Sequence, residues 1–493
     1  MSSDKLGQEW KALDNDLSRI SHLETATAYV SRPLVGAGIS LAFIVIAALL
    51  AAVFFGQDTN TLIVVAAAGF GAYMALNIGA NDVANNMGPA VGAKALTMGG
   101  AIAIAVVFES AGALLAGGDV VSTISKGIID PAGFSDSRIF IWAMMAALIS
   151  SALWVNLATF VGAPVSTTHS VVGGVMGAGI AAAGFAAVNW PTMGKIAASW
   201  VISPLLGGLV AAMFLAFIKA RIIYQEDKLA AARRWVPVLI GIMTAAFAAY
   251  LALKGLKRIV KIDIETALLI GLIAGIASWA IAKPLVARQS QGLENRNKSL
   301  KVLFSLPLVF SAALLSFAHG ANDVANAVGP LAAIVHASEF GDFASKVAIP
   351  LWVMIIGAFG ISFGLFLFGP KLIRMVGSQI TKLNPMRAYC VALSAAITVI
   401  VASWLGLPVS STHIAVGAVF GVGFFREWDT ERRLRNHAKQ RGQSITYSPE
   451  ERRRRKLVRR SHFMTIVAAW VITVPAAAAM SAVIFLILNA VTG

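Results

Sequence analysis

The chain has 493 residues, of which 58% are hydrophobic and only 13% charged; such a composition excludes a dissolved globular domain and points to the lipid bilayer. Its net charge of +16 could suit nucleic acid, but 13 Lys/Arg against 5 Asp/Glu between Arg426 and Arg460 carry half of that excess. A charge so concentrated between apolar runs fits a membrane loop, so no nucleic-acid partner is expected.

In chain order, residues 1–32 form a polar tail. Asp4, Glu9, Asp14 and Asp16 make it no cleavable signal peptide. Trp10, Leu13, Leu17 and Ile20 recur at helical spacing, as in a short amphipathic helix on the membrane surface; a disordered tail is the alternative. Leu34 to Phe55 is then uncharged, and nearly uncharged runs begin near Leu62, Thr97, Ile139, Thr167 and Ile196. Each suffices, at ~20 residues, to cross a hydrocarbon core as a helix. Similar runs to the C-terminus give an all-α polytopic protein of about ten to twelve crossings, some short or broken. The alternating segments of a β-barrel are absent. Residues 33–222 form one membrane repeat, 223–301 a connector with two spans, and 302–493 a second repeat containing the basic loop 426–460. The positive-inside rule makes that loop cytoplasmic, with anionic lipid headgroups as a secondary contact. Cys390, the single cysteine, excludes an intrachain disulfide and a cysteine-based metal site.

Two motifs recur in the same order. Gly79-Ala-Asn-Asp-Val-Ala-Asn-Asn-Met-Gly-Pro89 returns 241 residues later as Gly320-Ala-Asn-Asp-Val-Ala-Asn-Ala-Val-Gly-Pro330, and Pro164-Val-Ser-Thr-Thr-His169 returns 244 residues later as Pro408-Val-Ser-Ser-Thr-His413. The chain is an internal duplication. The loop after the second histidine motif is strongly basic, whereas that after the first, Ala181 to Lys195, carries a single charge. Equivalent loops on opposite sides mean inverted-topology repeats with broken or re-entrant half-helices, a usual plan of secondary transporters with a midplane site.

Asn81, Asp82 and Asn85, repeated as Asn322, Asp323 and Asn326, crowd one helix face at membrane depth. A carboxylate there costs ~2.5–3.5 kcal/mol, so two in identical contexts point to function rather than to polar glue between helices. Carboxylate and amide oxygens suit a hard cation such as Na+; a carboxylate of raised pKa suits H+. Ser166, Thr167 and Thr168, with Ser410, Ser411 and Thr412, stand at two half-helix starts. Their hydroxyls and free N–H groups suit a tetrahedral oxyanion, unless the hydroxyls merely bond back within their own helices. His169 and His413 are either auxiliary proton donors or packing residues. Glu109, an acid in an apolar run, is a further proton or cation ligand. His319 precedes only the second copy, Ile78 standing in the first, and is a weaker candidate.

The paired Gly-Ala-Asn-Asp-Val-Ala-Asn and Pro-Val-Ser-[Ser/Thr]-Thr-His sequences resemble those of the inorganic phosphate transporter (Pit) family, bacterial low-affinity branch, from about Val65 to the C-terminus. The resemblance implies a secondary active symporter of the bacterial inner (plasma) membrane. It would import inorganic phosphate by alternating access, with H+ or Na+ and in the bacterial branch often as a divalent metal–phosphate complex. It would hold no cofactor and no tightly bound metal. By similarity, Asp82, Asn85, Asp323 and Asn326 serve the coupling cation and the substrate, and the six hydroxyl residues hold phosphate. A glutamate that some members carry before the second hydroxyl motif is Ala392 here, with Glu109 as its first-half counterpart. An intramembrane Ser-His-Asp hydrolase is disfavoured because both motifs occur twice; a passive anion channel differs in needing no coupling ion. The oligomeric state is open, a homodimer included.

Overall fold

The computed structural model describes residues 35–55, 61–161, 165–255, 262–341, 349–379, 383–440 and 460–492. The amphipathic tail expected over 1–32 and residues 441–459 of the basic loop lie outside the described residues. Everything that spans is helical, because a chain in hydrocarbon has to satisfy its backbone groups within itself. The first half holds α1 (Val35–Phe55), α2 (Thr61–Asn81), α3 (Val83–Gly92), α4 (Met98–Ala116), α5 (Gly118–Ser122), α6 (Ser137–Val161), α7 (Thr167–Ala183) and α8 (Trp190–Ile218). The connector supplies α9 (Lys228–Tyr250) and α10 (Ile264–Gln289), which pack on each other, and the short α11 (Asn297–Leu303). The second half holds α12 (Ser305–Asp323), α13 (Ala325–Phe340), α14 (Leu351–Gln379), α15 (Pro385–Trp404), α16 (Ser411–Gln440) and α17 (Arg460–Thr492). Among the described residues, 11 helices are long and apolar enough to cross a membrane, within the range read from the sequence.

The halves are packed through each other. α4 lies on α12 and α2 on α14; likewise α8 lies on α16 and α17 on α7. Small residues make these crossings close, as helix association in lipid requires. A Cβ on Gly79 would sit 1.8 Å from the Ile361 carbonyl oxygen of α14, and one on Gly320 would sit 2.1 Å from the Glu109 carbonyl oxygen of α4. Gly79→Ala and Gly320→Ala are therefore each expected to destabilise by about 3 kcal/mol or to prevent assembly. Gly99→Ala is harmless by comparison, since nothing lies within 4 Å of its Cβ position. Melting of the detergent-purified variants checks this; a Gly79→Ala protein as stable as Gly99→Ala would contradict the crossing.

The same reciprocity corrects one expectation. Glu109 faces Gly320 as Ile361 faces Gly79, so the second-half position matching Glu109 is Ile361 on α14. Ala392 lies on α15, which corresponds to α6, and is no counterpart of Glu109.

Residues 426–440, read from the sequence as loop, instead prolong α16 to Gln440. Ion pairs one turn apart hold this polar extension: Asp429 with Arg433 at 3.5 Å, and Glu431 with Arg435. Asp429 also accepts from Lys219 Nζ at 2.7 Å and from the Tyr224 hydroxyl at 2.5 Å, tying α16 to the end of α8. Burial first, and then the Asp429 carboxylate, push the Tyr224 hydroxyl up to about 12, so it stays a neutral donor at physiological pH.

Candidate functional site

Both Asn-Asp motifs interrupt a helix. The chain turns at Asp82 between α2 and α3 and at Val324 between α12 and α13. Both histidine motifs start one. Ser166 takes an extended conformation and its Oγ accepts from His169 N–H at 3.1 Å; Ser410 Oγ accepts from His413 N–H at 3.3 Å. These two serines are N-caps, each satisfying one donor that a helix start leaves free. Pro164 lies outside the described residues.

Of the other four hydroxyls, those of Thr167, Ser411 and Thr412 reach the aspartates. Thr167 Oγ1 donates to Asp82 at 2.6 Å, and its counterpart Ser411 Oγ donates to Asp323 at 3.1 Å. The cross-links then change halves. Asn85 Nδ2 donates to Thr412 Oγ1 at 2.9 Å, while Asn326 Nδ2 donates to Thr167 and Thr168 at 3.1 and 3.2 Å. Thr412 also donates to Asp82 at 3.2 Å, and Thr168 to the Val409 carbonyl at 3.1 Å. The helix starts of α7 and α16 and both Asn-Asp breaks thus meet in one buried cluster.

Asn81 and Asn322 stand at its edge as tethers. Asn81 Nδ2 donates to Thr159 on α6 at 2.9 Å; Asn322 Nδ2 donates to Ser403 on α15 at 2.9 Å. Thr159 and Ser403 were not singled out in the sequence. They stand 244 residues apart, the offset of the histidine motifs, and that shared offset is the signal that could have found them.

The repeat symmetry fails at one crossing. Where α4 meets α12, His319 Nδ1 lies 2.5 Å from Glu109 Oε2 and its Nε2 lies 2.9 Å from Asp323 Oδ2. Asn86 Nδ2 donates to the other Glu109 oxygen at 3.0 Å. Where α2 meets α14, the corresponding residues are Ile78 and Ile361, both wholly buried. His319 is therefore the link that brings Glu109 into the site, a larger part than its place in the sequence suggested.

Three oxygens of this cluster, on Asn81, Asp323 (Oδ1) and Asn326, are buried without a hydrogen-bond partner among the described residues. Ligand atoms of Asp82, Asp323 and His319 lie within 4.8 Å of one another. Orphaned acceptors next to two carboxylates are a costly arrangement unless a cation joins them.

His169 and His413 are elsewhere engaged. Their rings lie 4.4 Å apart; His169 packs on Trp200 at 3.9 Å and His413 stacks on Trp470 at 3.6 Å. The two rings form a wall behind the helix starts, and His169 Nδ1 lies 3.4 Å from the Trp470 carbonyl.

Known proteins resemble this chain over most of its length. A model of the phosphate transporter family matches residues 78–481. A Helicobacter pylori (strain J99) protein described as a "putative phosphate permease" is 52% identical over 431 residues, 86% of this chain and 80% of that protein. A similarly described protein of Pyrococcus abyssi is 36% identical over 418 residues, 85% of this chain and 96% of that one. Among solved structures, one titled as the sodium-dependent phosphate transporter superposes with a TM-score of 0.78 at 34% identity, covering 87% of this chain and 99% of its own.

Proposed function

Because the chain belongs to the phosphate transporter family, and is a membrane transporter rather than an enzyme, we propose that it is a symporter importing inorganic phosphate with a cation by alternating access. The observation that carries this reading is Asp82, whose carboxylate accepts from Thr167 of its own half and from Thr412 of the other. One acid is thereby tied to both helix starts, so a cation and an oxyanion bound there would sense each other directly. The half-helix starts of α7 and α16 offer phosphate their hydroxyls and N-terminal dipoles. A protonated phosphate donates a hydrogen bond to Asp82 or Asp323, which sulfate at neutral pH lacks the proton to do.

Sodium is the favoured coupling ion. The unpaired oxygens of Asn81, Asp323 and Asn326 are of the hard kind that Na+ takes as ligands, and the similar solved transporter is described as sodium-dependent. Protons are the second reading. Inverted repeats supply the rocking that exposes the site to either side. The charged end of α16 would face the cytoplasm of a plasma (inner) membrane.

Uptake of radiolabelled phosphate into proteoliposomes, under a sodium gradient or a proton gradient alone, tests this. Accumulation under the sodium gradient is expected; accumulation under the proton gradient alone would transfer coupling to H+. Flux without accumulation under either would make the protein a channel. Including a divalent metal tells free phosphate from its metal complex. Thr168→Ala and Thr412→Ala each remove a hydroxyl worth ~1.5–3 kcal/mol to a charged partner, so KM for phosphate should rise about tenfold or more. An unchanged KM in both would take the hydroxyls out of the phosphate site.

A further inference from the structure

A cavity of about 1120 Å³ lies outside the phosphate site, between α8, α16 and α17. Its floor includes the rings of His169, His413, Trp200 and Trp470, and its far end includes Phe425 and Trp428. Almost everything else lining it is aliphatic, so it is no path for phosphate. Its flanks are open: Leu205 is 69% exposed and Val471 68%, and both would face hydrocarbon in a bilayer. From His413 to Trp428 the groove follows α16 for 15 residues, about 22 Å at 1.5 Å per residue. Half of a hydrocarbon core is ~15 Å, so a tilted groove of this length spans one leaflet, from the phosphate site to the headgroups.

Cations stand at the headgroup end. Arg432 lies 5.1 Å over the Trp428 ring and Lys219 lies 5.4 Å over Phe425. Lys219 is paired with Asp429, whereas Arg432 is exposed and available to an incoming anion. Aromatic rings topped by a cation at the interface, with an apolar slot one acyl chain long beneath them, match one kind of molecule.

We propose that this cavity is a binding site for an anionic phospholipid, whose acyl chain fills the groove down to the His169–His413 pair and whose phosphate is held at Arg432. A second copy of the chain fits less well, because a rigid helix does not reach into a slot that ends behind the starts of α7 and α16. The lipid tail would brace those starts from behind, which makes phosphate transport sensitive to lipid headgroup charge.

Tryptophan quenching by brominated lipids is the test, with full-length protein in vesicles carrying dibrominated acyl chains. Dibromo-phosphatidylglycerol is expected to quench saturably at a mole fraction about fivefold lower than dibromo-phosphatidylcholine, the ~1 kcal/mol of one basic residue. Arg432→Gln should erase that difference, and Trp470→Phe should remove part of the saturable quench. Ala212→Phe, which narrows the slot, should weaken both lipids while the protein stays monodisperse. Equal quenching by both lipids in the unmodified protein, or quenching indifferent to Trp470→Phe and Ala212→Phe, would overturn the proposal. So would native mass spectrometry showing no retained lipid and a dimer that Ala212→Phe dissociates.

Discussion

Asp82→Asn and Asp323→Asn should each lower gradient-driven phosphate accumulation about a hundredfold or more. Each carboxylate is 1% exposed and is held by hydroxyls of the half-helix starts. An amide keeps the shape but drops the charge that would hold the cation. The loss of a partner to a buried charge costs ~3–5 kcal/mol, and 1.36 kcal/mol is a factor of ten. Membrane insertion is expected to survive, since an amide is cheaper than a carboxylate in hydrocarbon. Uptake by protein matched for membrane content checks this. Near-normal accumulation in both variants would remove the aspartates from coupling.

The second large effect concerns the α4–α12 crossing. His319→Ile leaves Glu109 and Asp323 without their shared partner in a wholly buried place, a loss of ~3–5 kcal/mol. The double variant Glu109→Ile/His319→Ile copies the Ile361 and Ile78 pair that the other half uses at the equivalent crossing. It is expected to recover a large part of the stability, because replacing a buried ionic pair by apolar residues is often neutral. Transport should not recover with it, as the site would still lack the Glu109–His319–Asp323 chain. Melting midpoints in detergent with parallel uptake assays separate the two. A double variant no more stable than the single would show that Glu109 and His319 do not depend on each other.

Much of this site was legible in the sequence because duplication writes it twice. Asp82 and Asp323, the hydroxyls and the amides stand out as pairs, whereas the helix breaks fall at Asp82 and Val324, with Pro89 and Pro330 inside the helices that follow. The long uncharged runs likewise pointed to an all-helical membrane protein. What stayed hidden is what symmetry does not repeat. His319 occurs in one half, and its link to Glu109 joins residues 210 apart across a crossing that hydropathy does not specify. The division of labour among the hydroxyls was also invisible: Ser166 and Ser410 each give an oxygen lone pair to a helix cap, which only the direction of the backbone at each helix start decides, and keep an O–H able to donate. Glu109 was matched to Ala392 by resemblance to family members, whereas the packing of Gly79 and Gly320 matches it to Ile361. Likewise the polar run 426–440 looked like a loop by composition, though its i,i+4 ion pairs suit a helix.

Equilibrium binding of phosphate to the purified protein, titrated by calorimetry over a range of sodium concentrations, bears most directly on a shared cation and phosphate site. Sodium should tighten phosphate binding, and phosphate should tighten sodium binding by the same factor, as linkage requires; Asp82→Asn should abolish both effects. Phosphate affinity that is the same with and without sodium would contradict a site in which Asp82 joins the two ligands.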